Sequence, residues 1–287
     1  MIIMEYIRHS RAVEMRQSVM KEKIRLIALD LDGTLLNSEK KITEETRKTL
    51  LRAAEEGIYI CIASGRRYED VERLSQELLP GQPVICANGA AAYLSEPYEC
   101  VYCETLEQKE LRGVIGVLEK EKVFYQVYVD DGSVMLSTRK SVYSYANYNG
   151  FKLSGDEMPK YVGDGALKVI AITDDAPLLE RVRAGVEKLD YVEINSSWSN
   201  NIEVLRKGVN KGSALRALAQ RLEIPMEEIM AFGDNGNDIA MFEAAGWPVC
   251  MENGTDEAKA AARYVTDSND RDGVAKAVKK IVFGEED

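Results

Sequence analysis

Ile24-Arg25-Leu26-Ile27-Ala28-Leu29-Asp30-Leu31-Asp32-Gly33-Thr34 is the stretch on which the fold turns. Its apolar run is strand-like and stops abruptly at Asp30. Asp30 and Asp32 lie two residues apart, so in extended chain both point to one side, and Gly33 permits a sharp exit. The run at 58–63 ends in the same manner at Ser64, and the run at 229–232 ends at Gly233-Asp234. A further short run at 83–87 ends at Asn88-Gly89. Helical patterns separate these runs: 43–56 with Thr43 as N-cap and Gly57 as stop, 67–79 closed by Pro80-Gly81, 210–222 and 237–245. Short, nearly all-apolar strands alternating with amphipathic helices predict a doubly wound parallel α/β sheet covered on both faces. In such a sheet ligands sit beyond the carboxyl ends of the strands, so Asp30, Ser64 and Asp234 are expected in one crevice.

Working outward, the rhythm changes between about 90 and 201. Strand-like segments at 123–129, 134–137 and 166–172 dominate there, with helical patterns at 106–120 and 177–188. Ten of the fourteen tyrosines fall in this region, Tyr143, Tyr145 and Tyr148 beside Asn147 and Asn149; some could stack on a ligand, and most are expected in the core or on the surface of this region instead. The pattern predicts an inserted α+β domain with antiparallel strands. The expected division is an N-terminal extension at 1–23, a core at 24–88, the insertion at 89–203 and the rest of the core at 204–287.

Composition narrows the chemistry. A net charge of −11 repels a phosphate backbone, so no nucleic-acid partner is expected. No apolar run is long enough to span a bilayer and no secretory signal is present, so no membrane partner is expected and the location is expected to be cytoplasmic. Five cysteines read as reduced thiols, and Cys100-x-x-Cys103 reads as two half-buried thiols on a strand rather than a metal or redox site. His9 is the only histidine, which excludes histidine triads and HExxH zinc sites. No G-x-G-x-x-G follows the first strand, which disfavours a dinucleotide oxidoreductase.

Paired carboxylates repel unless a cation lies between them, and all-oxygen ligation favours Mg²⁺. A lone D-x-D is equally a solvated turn, and Asp238, in the first turn of a helix, is equally an N-terminal charge on its dipole. Lys211 also opens a helix, where the dipole disfavours it. Ser64 can cap the following helix or donate to a phosphate oxygen.

Asp30-Leu31-Asp32-Gly33-Thr34-Leu35, Ala63-Ser64-Gly65-Arg66, Gly208-Val209-Asn210-Lys211-Gly212 and Gly233-Asp234-Asn235-Gly236-Asn237-Asp238 stand in the order of the four motifs of the haloacid dehalogenase superfamily. With Asn88-Gly89-Ala90 opening an insertion between the second and third motifs, the chain resembles the Cof-type (subclass IIB) phosphatases over about 24–283. The resemblance implies a Rossmann-like core with an α+β cap and hydrolysis of small phosphorylated metabolites, sugar phosphates foremost, through an aspartyl-phosphate. By it Asp30 is the nucleophile, Asp32 the general acid and base, and Lys211 the neutralising cation. Mg²⁺ is held by Asp30, Asp32 (through its backbone carbonyl), Asp234 and Asp238. Phosphate and substrate contacts fall to Gly33, Thr34, Ser64, Gly65, Asn88, Lys211 and Asn237. A phosphomutase or phosphotransferase of the same architecture, or a non-catalytic regulator binding a phosphorylated ligand, are the alternatives. Met251-Glu252-Asn253-Gly254 departs from the family's usual Met-Gly-Asn-Ala and adds a carboxylate near the site mouth, while Glu203 fits the family pattern without a derivable role.

Overall fold

The computed structural model of the protein describes residues 23–143, 152–153 and 155–285. The expected N-terminal extension, Lys23 apart, and Tyr145, Asn147, Tyr148 and Asn149 lie outside the described residues. The strands are β1 (Leu26–Leu29), β2 (Tyr59–Ala63), β3 (Val84–Cys86), β4 (Ala91–Ser95), β5 (Tyr98–Cys103), β6 (Phe124–Val129), β7 (Val134–Leu136), β8 (Ala166–Ile172), β9 (Val192–Asn195), β10 (Asn201–Arg206), β11 (Ile229–Gly233), β12 (Trp247–Cys250) and β13 (Tyr264–Val265). The α-helices are α1 (Glu44–Glu55), α2 (Tyr68–Leu78), α3 (Gln108–Glu121), α4 (Glu157–Val162), α5 (Ala176–Val186), α6 (Lys211–Arg221), α7 (Ile239–Ala244), α8 (Asp256–Ala261) and α9 (Gly273–Val278).

Eight strands form one sheet in the order β13-β12-β11-β1-β2-β3-β4-β5. All neighbours from β13 to β3 are parallel. The all-apolar character of β1 follows from its double coverage. Leu26 and Ala28 pack with Leu215, Leu218 and Phe242 on one face, while Ile27 and Leu29 pack with Leu50, Val71 and Val278 on the other. α1 begins where Thr43 caps it, its hydroxyl accepting from the Thr46 N–H at 3.2 Å, and the chain turns away at Gly57 with φ +85°. β2 lies on one side of β1 and β11 on the other, so the strand order reverses at β1 and opens a crevice beyond its carboxyl end.

The second sheet, β7-β6-β8-β10-β9, is antiparallel throughout and carries α3 and α5 on the face opposite the one that meets the core, where Leu111, Val114, Leu118, Val182 and Val186 meet Val127, Val169 and Val204. This is the inserted cap. The sequence places the insertion at 89–203; within that range β4 and β5 pair antiparallel onto β3 and extend the core sheet, and the separate sheet begins with β6, while β10 runs to Arg206. Antiparallel strands follow the core's parallel ones here because a tight connection, Ala87–Gly89, joins β3 to β4, and such a turn permits only an antiparallel return. Cys100 and Cys103, expected half-buried, are exposed, since β5 is the edge strand of the sheet.

Candidate active site

Asp30 follows β1 directly, and its N–H donates to the Phe232 carbonyl at 3.0 Å, which anchors it beside β11. Lys211 enters from the start of α6. Asn210 caps that helix by accepting from the Ser213 N–H at 2.9 Å, and the lysine is wholly buried. Its ammonium donates to Asp30 Oδ1 at 2.5 Å and to Asp238 Oδ1 at 2.7 Å. The sequence placed this cation against the helix dipole; two carboxylates offset that cost and the price of burial. Burial alone would lower the Lys211 pKa, and the charges of Asp238 and Asp30 outweigh it, so the lysine stays protonated.

Asp238 has no exposed surface, and its Oδ2 accepts from the N–H groups of Asp234 at 2.9 Å and Asn235 at 3.1 Å. Both its oxygens are thus engaged by the lysine and by its own loop. Asp30, Asp234 and Asp238 each offer an oxygen within 4.8 Å of the others. Three carboxylates face one ammonium, and the excess negative charge appears in the titration. Burial, then Asp238 and Asp234, raises Asp30 well above the usual aspartate range against the pull of Lys211. Burial and Asp238 push Asp234 up to about 6. A divalent cation would relieve this repulsion, and the donor set, oxygen without histidine or cysteine, fits a hard ion such as Mg²⁺. Since Asp238 is engaged on both sides, Asp30 and Asp234 are the carboxylates left to face such an ion.

Asp32 lines the same cavity but its carboxylate is not among the three that converge. The strand ends at Leu29, so the extended geometry assumed for Asp30 and Asp32 does not continue through both. Arg66 donates to both Asp32 oxygens, at 2.9 and 2.8 Å, and Lys40 donates at 3.0 Å. Burial raises the Asp32 pKa, but the hydrogen bonds of Arg66 and Lys40 outweigh it and the net shift is downward. Neither Arg66 nor Lys40 was given a role from sequence.

Ser64 and Gly65 line the cavity after β2, and Asn237 lines it from the opposite loop. Gly33 also lines it, at φ +95°, with a hypothetical Cβ only 2.5 Å from Asp234 Oδ2, so no other residue fits the turn. The side chains of two further residues expected at the phosphate, Thr34 (there through its backbone amide) and Asn88, are hydrogen-bonded within the protein. The Thr34 hydroxyl donates to Asp234 Oδ1 at 3.1 Å and braces that carboxylate. Asn88, 1% exposed, packs behind Gly65, donates to Glu203 and accepts from Asn237 Nδ2 at 3.1 Å. Asn88 does not itself line the cavity, but both its partners, Glu203 and Asn237, do.

The cavity itself encloses about 840 Å³ between core and cap. Gln126, Tyr128, Lys168, Ile170, Ile172, Ser197 and Trp198 form its cap side, and sequence reasoning singled out none of them for the site. One carried a usable signal: Lys168 is a lone charge inside the apolar run ALKVIAI, where burial on both faces leaves a lysine no water.

A profile of haloacid dehalogenase-like hydrolases matches residues 27–278 of the chain. The chain belongs to this family. Among its relatives it is 33% identical to the 5-amino-6-(5-phospho-D-ribitylamino)uracil phosphatase YcsE of Bacillus subtilis, over 91% of this chain and 96% of that one. It is 31% identical to the pyridoxal phosphate phosphatase YbhA of Escherichia coli, over 88% and 97% respectively. Among solved structures, TM0651 from Thermotoga maritima superposes with a TM-score of 0.77 at 30% identity, covering 92% of this chain and 98% of its own. The subclass IIB sugar phosphatase BT4131 superposes with a TM-score of 0.77 at 26% identity, covering 91% and 99%. The haloacid dehalogenase-like chain is thus a phosphatase of the Cof type, and its parallel sheet is that family's core. Among the described residues no helix is long and apolar enough to cross a membrane.

Proposed function

We propose that the protein hydrolyses small phosphate monoesters, with Mg²⁺ as cofactor, through an aspartyl-phosphate on Asp30. The observation that carries this reading is the buried lysine held at 2.5 Å from Asp30, with two further carboxylates beside it, at the floor of a cavity roofed by the cap. A carboxylate attacking a phosphate meets like charge, so a protonated Lys211 and a divalent ion are what this nucleophile requires. Asp30, Asp234 and the backbone carbonyl of Asp32 would hold the Mg²⁺, which when bound neutralises charge on the transferring phosphoryl group. Lys211 orients Asp30 and favours its carboxylate form against burial and the neighbouring carboxylates, and Asp238 keeps Lys211 in place. Ser64 donates to a phosphate oxygen from the end of β2.

Asp32 serves both half-reactions. It protonates the departing alkoxide, then takes a proton from the water that cleaves the phosphoenzyme. The Arg66 and Lys40 contacts favour its carboxylate form, which suits the second role; for the first, an incoming anionic ester draws Arg66 away and lets Asp32 take up a proton. The cap roof combines the Tyr128 and Trp198 rings and Ile170 and Ile172 with the polar Gln126 and Ser197. That mixture supports a leaving group with a hydroxylated or flat-ring body, a sugar or a heterocycle, rather than a long acyl chain. The test is a panel of sugar phosphates, pyridoxal phosphate and phosphorylated ribityl compounds with Mg²⁺, read as inorganic phosphate in ¹⁸O-labelled water. Solvent label in the released phosphate supports hydrolysis; transfer of phosphate to a second sugar without label refutes it.

A further inference from the structure

We propose that Lys168 of the cap is a positioning residue that ties cap seating to the phosphate-binding hydroxyl of Ser64; the proposal rests on the reading of Ser64 given above. Lys168 is 1% exposed and Glu203 3%, and they pair at 2.7 Å across the adjacent strands β8 and β10. The Lys168 ammonium also crosses to the core, donating to the Gly65 carbonyl at 2.7 Å. The same peptide unit presents the Arg66 N–H, which donates to Ser64 Oγ at 3.2 Å. A cation on a peptide oxygen polarises the unit and strengthens its N–H as a donor. Ser64 Oγ then accepts from the backbone, and its own hydrogen is left to point at a phosphate oxygen.

Glu203 keeps this lysine aimed. Its Oε2 accepts from Lys168 and from Asn88, and its Oε1 from Ser197 at 2.9 Å and Asn201 at 3.2 Å. Through Asn88 the same carboxylate reaches Asn237, on the opposite wall of the cavity, at 3.1 Å from Asn88. Gly65 is part of the fit, since a Cβ there would lie 2.9 Å from Asn88 Oδ1. A buried ion pair is a weak stabiliser compared with apolar side chains of equal volume. An apolar pair, however, offers no donor to Gly65, so the distinctive consequence of Lys168 falls on the phosphate loop. This also gives Glu203 the role that its place in the sequence did not reveal.

The test combines Lys168→Met with Glu203→Gln, which removes both charges and leaves no buried ion unpaired, in wild-type and Ser64→Ala backgrounds. p-Nitrophenyl phosphate is the substrate, inorganic phosphate the competitive inhibitor, and circular dichroism checks folding. The paired change is expected to raise the phosphate inhibition constant about tenfold in the wild-type background, equivalent to ~1.4 kcal/mol, and less than about twofold when Ser64 is absent. A purely structural role would lower the melting temperature and leave that difference between backgrounds at zero. Lys168→Gln combined with Glu203→Gln, which keeps a neutral donor and likewise leaves no buried ion unpaired, is the second variant and is expected to give a smaller rise of about threefold. An unchanged constant in both variants, or an equal rise with and without Ser64, overturns the relay alone. A wild type that neither cleaves the ester nor binds phosphate overturns the phosphatase reading and the relay with it.

Discussion

Replacing Asp234 by asparagine is expected to make the metal-free protein more stable while removing its response to Mg²⁺. Asp234 is half-buried among Asp30 and Asp238, and its pKa rises from the ordinary 3.8 to about 6, through burial first and Asp238 second. A raised folded-state pKa means that folded protein holds the proton longer than unfolded chain. Below about pH 4 both states are protonated and nothing is lost; between about pH 4 and 6 the unfolded chain ionises while the folded protein still holds the proton, so stability falls, and above about 6 the loss is complete. The shift of about two units corresponds to ~3 kcal/mol at high pH, reduced to ~1–3 kcal/mol because water still reaches part of the side chain. Roughly half of that is already present at pH 5. Asparagine carries no charge, its oxygen can still accept from the Thr34 hydroxyl, and it relieves Asp30 as well. The assay is urea unfolding with EDTA or Mg²⁺ at pH 5 and pH 8. In EDTA at pH 8 the Asp234→Asn variant should exceed wild type by ~1–3 kcal/mol, with a smaller gap at pH 5. Saturating Mg²⁺ at about a hundred times its Kd should add ~2.7 kcal/mol to wild type and far less to the variant. A variant no more stable than wild type at pH 8, or one that gains as much from Mg²⁺, would refute the reasoning.

Asp30→Asn is expected to fold, because its amide oxygen can still accept from Lys211, and to show no turnover and no acid-stable trapped phosphoenzyme; retained phosphate release would remove Asp30 as nucleophile. Lys211→Met leaves Asp30 and Asp238 buried without their cation, so a loss of ~3–5 kcal/mol in denaturation is expected together with a fall in kcat of about 10²–10³ or more in whatever remains folded. Arg66→Met removes two of the three hydrogen bonds that lower the Asp32 pKa, so that pKa rises, and the alkaline limb of kcat/KM, set by loss of the Asp32 proton, should move to higher pH. EDTA should abolish phosphate release and added Mg²⁺ should restore it, measured in a continuous phosphate assay; activity that persists after exhaustive chelation would count against the metal.

The chain order of Asp30, Ser64, Lys211 and Asp234, each just past an apolar run or at a helix start, was enough to indicate the parallel sheet and its crevice. Strand ends and helix caps are local features, written in period, length and turn residues, so they survive reading one residue at a time. The helix bounds around Thr43 and Asn210 were legible for that reason. Other features depend on which distant segments meet. Nothing near Asn88 in the chain says that its side chain will be taken up by Glu203, more than a hundred residues on. The stretch around Cys100 and Cys103 reads as a strand from sequence, but only the pairing of β5 with β4 and of β4 with β3 assigns it to the core sheet and not to the cap. Likewise Asp32 was drawn toward Arg66 and Lys40 and away from the other carboxylates by packing between loops. Sequence determined which groups can do chemistry and roughly where each strand delivers them; tertiary structure alone decided which oxygens face the cation, which brace it, and which cap residues roof the cavity, because charge neutralisation and burial are settled by neighbours in space.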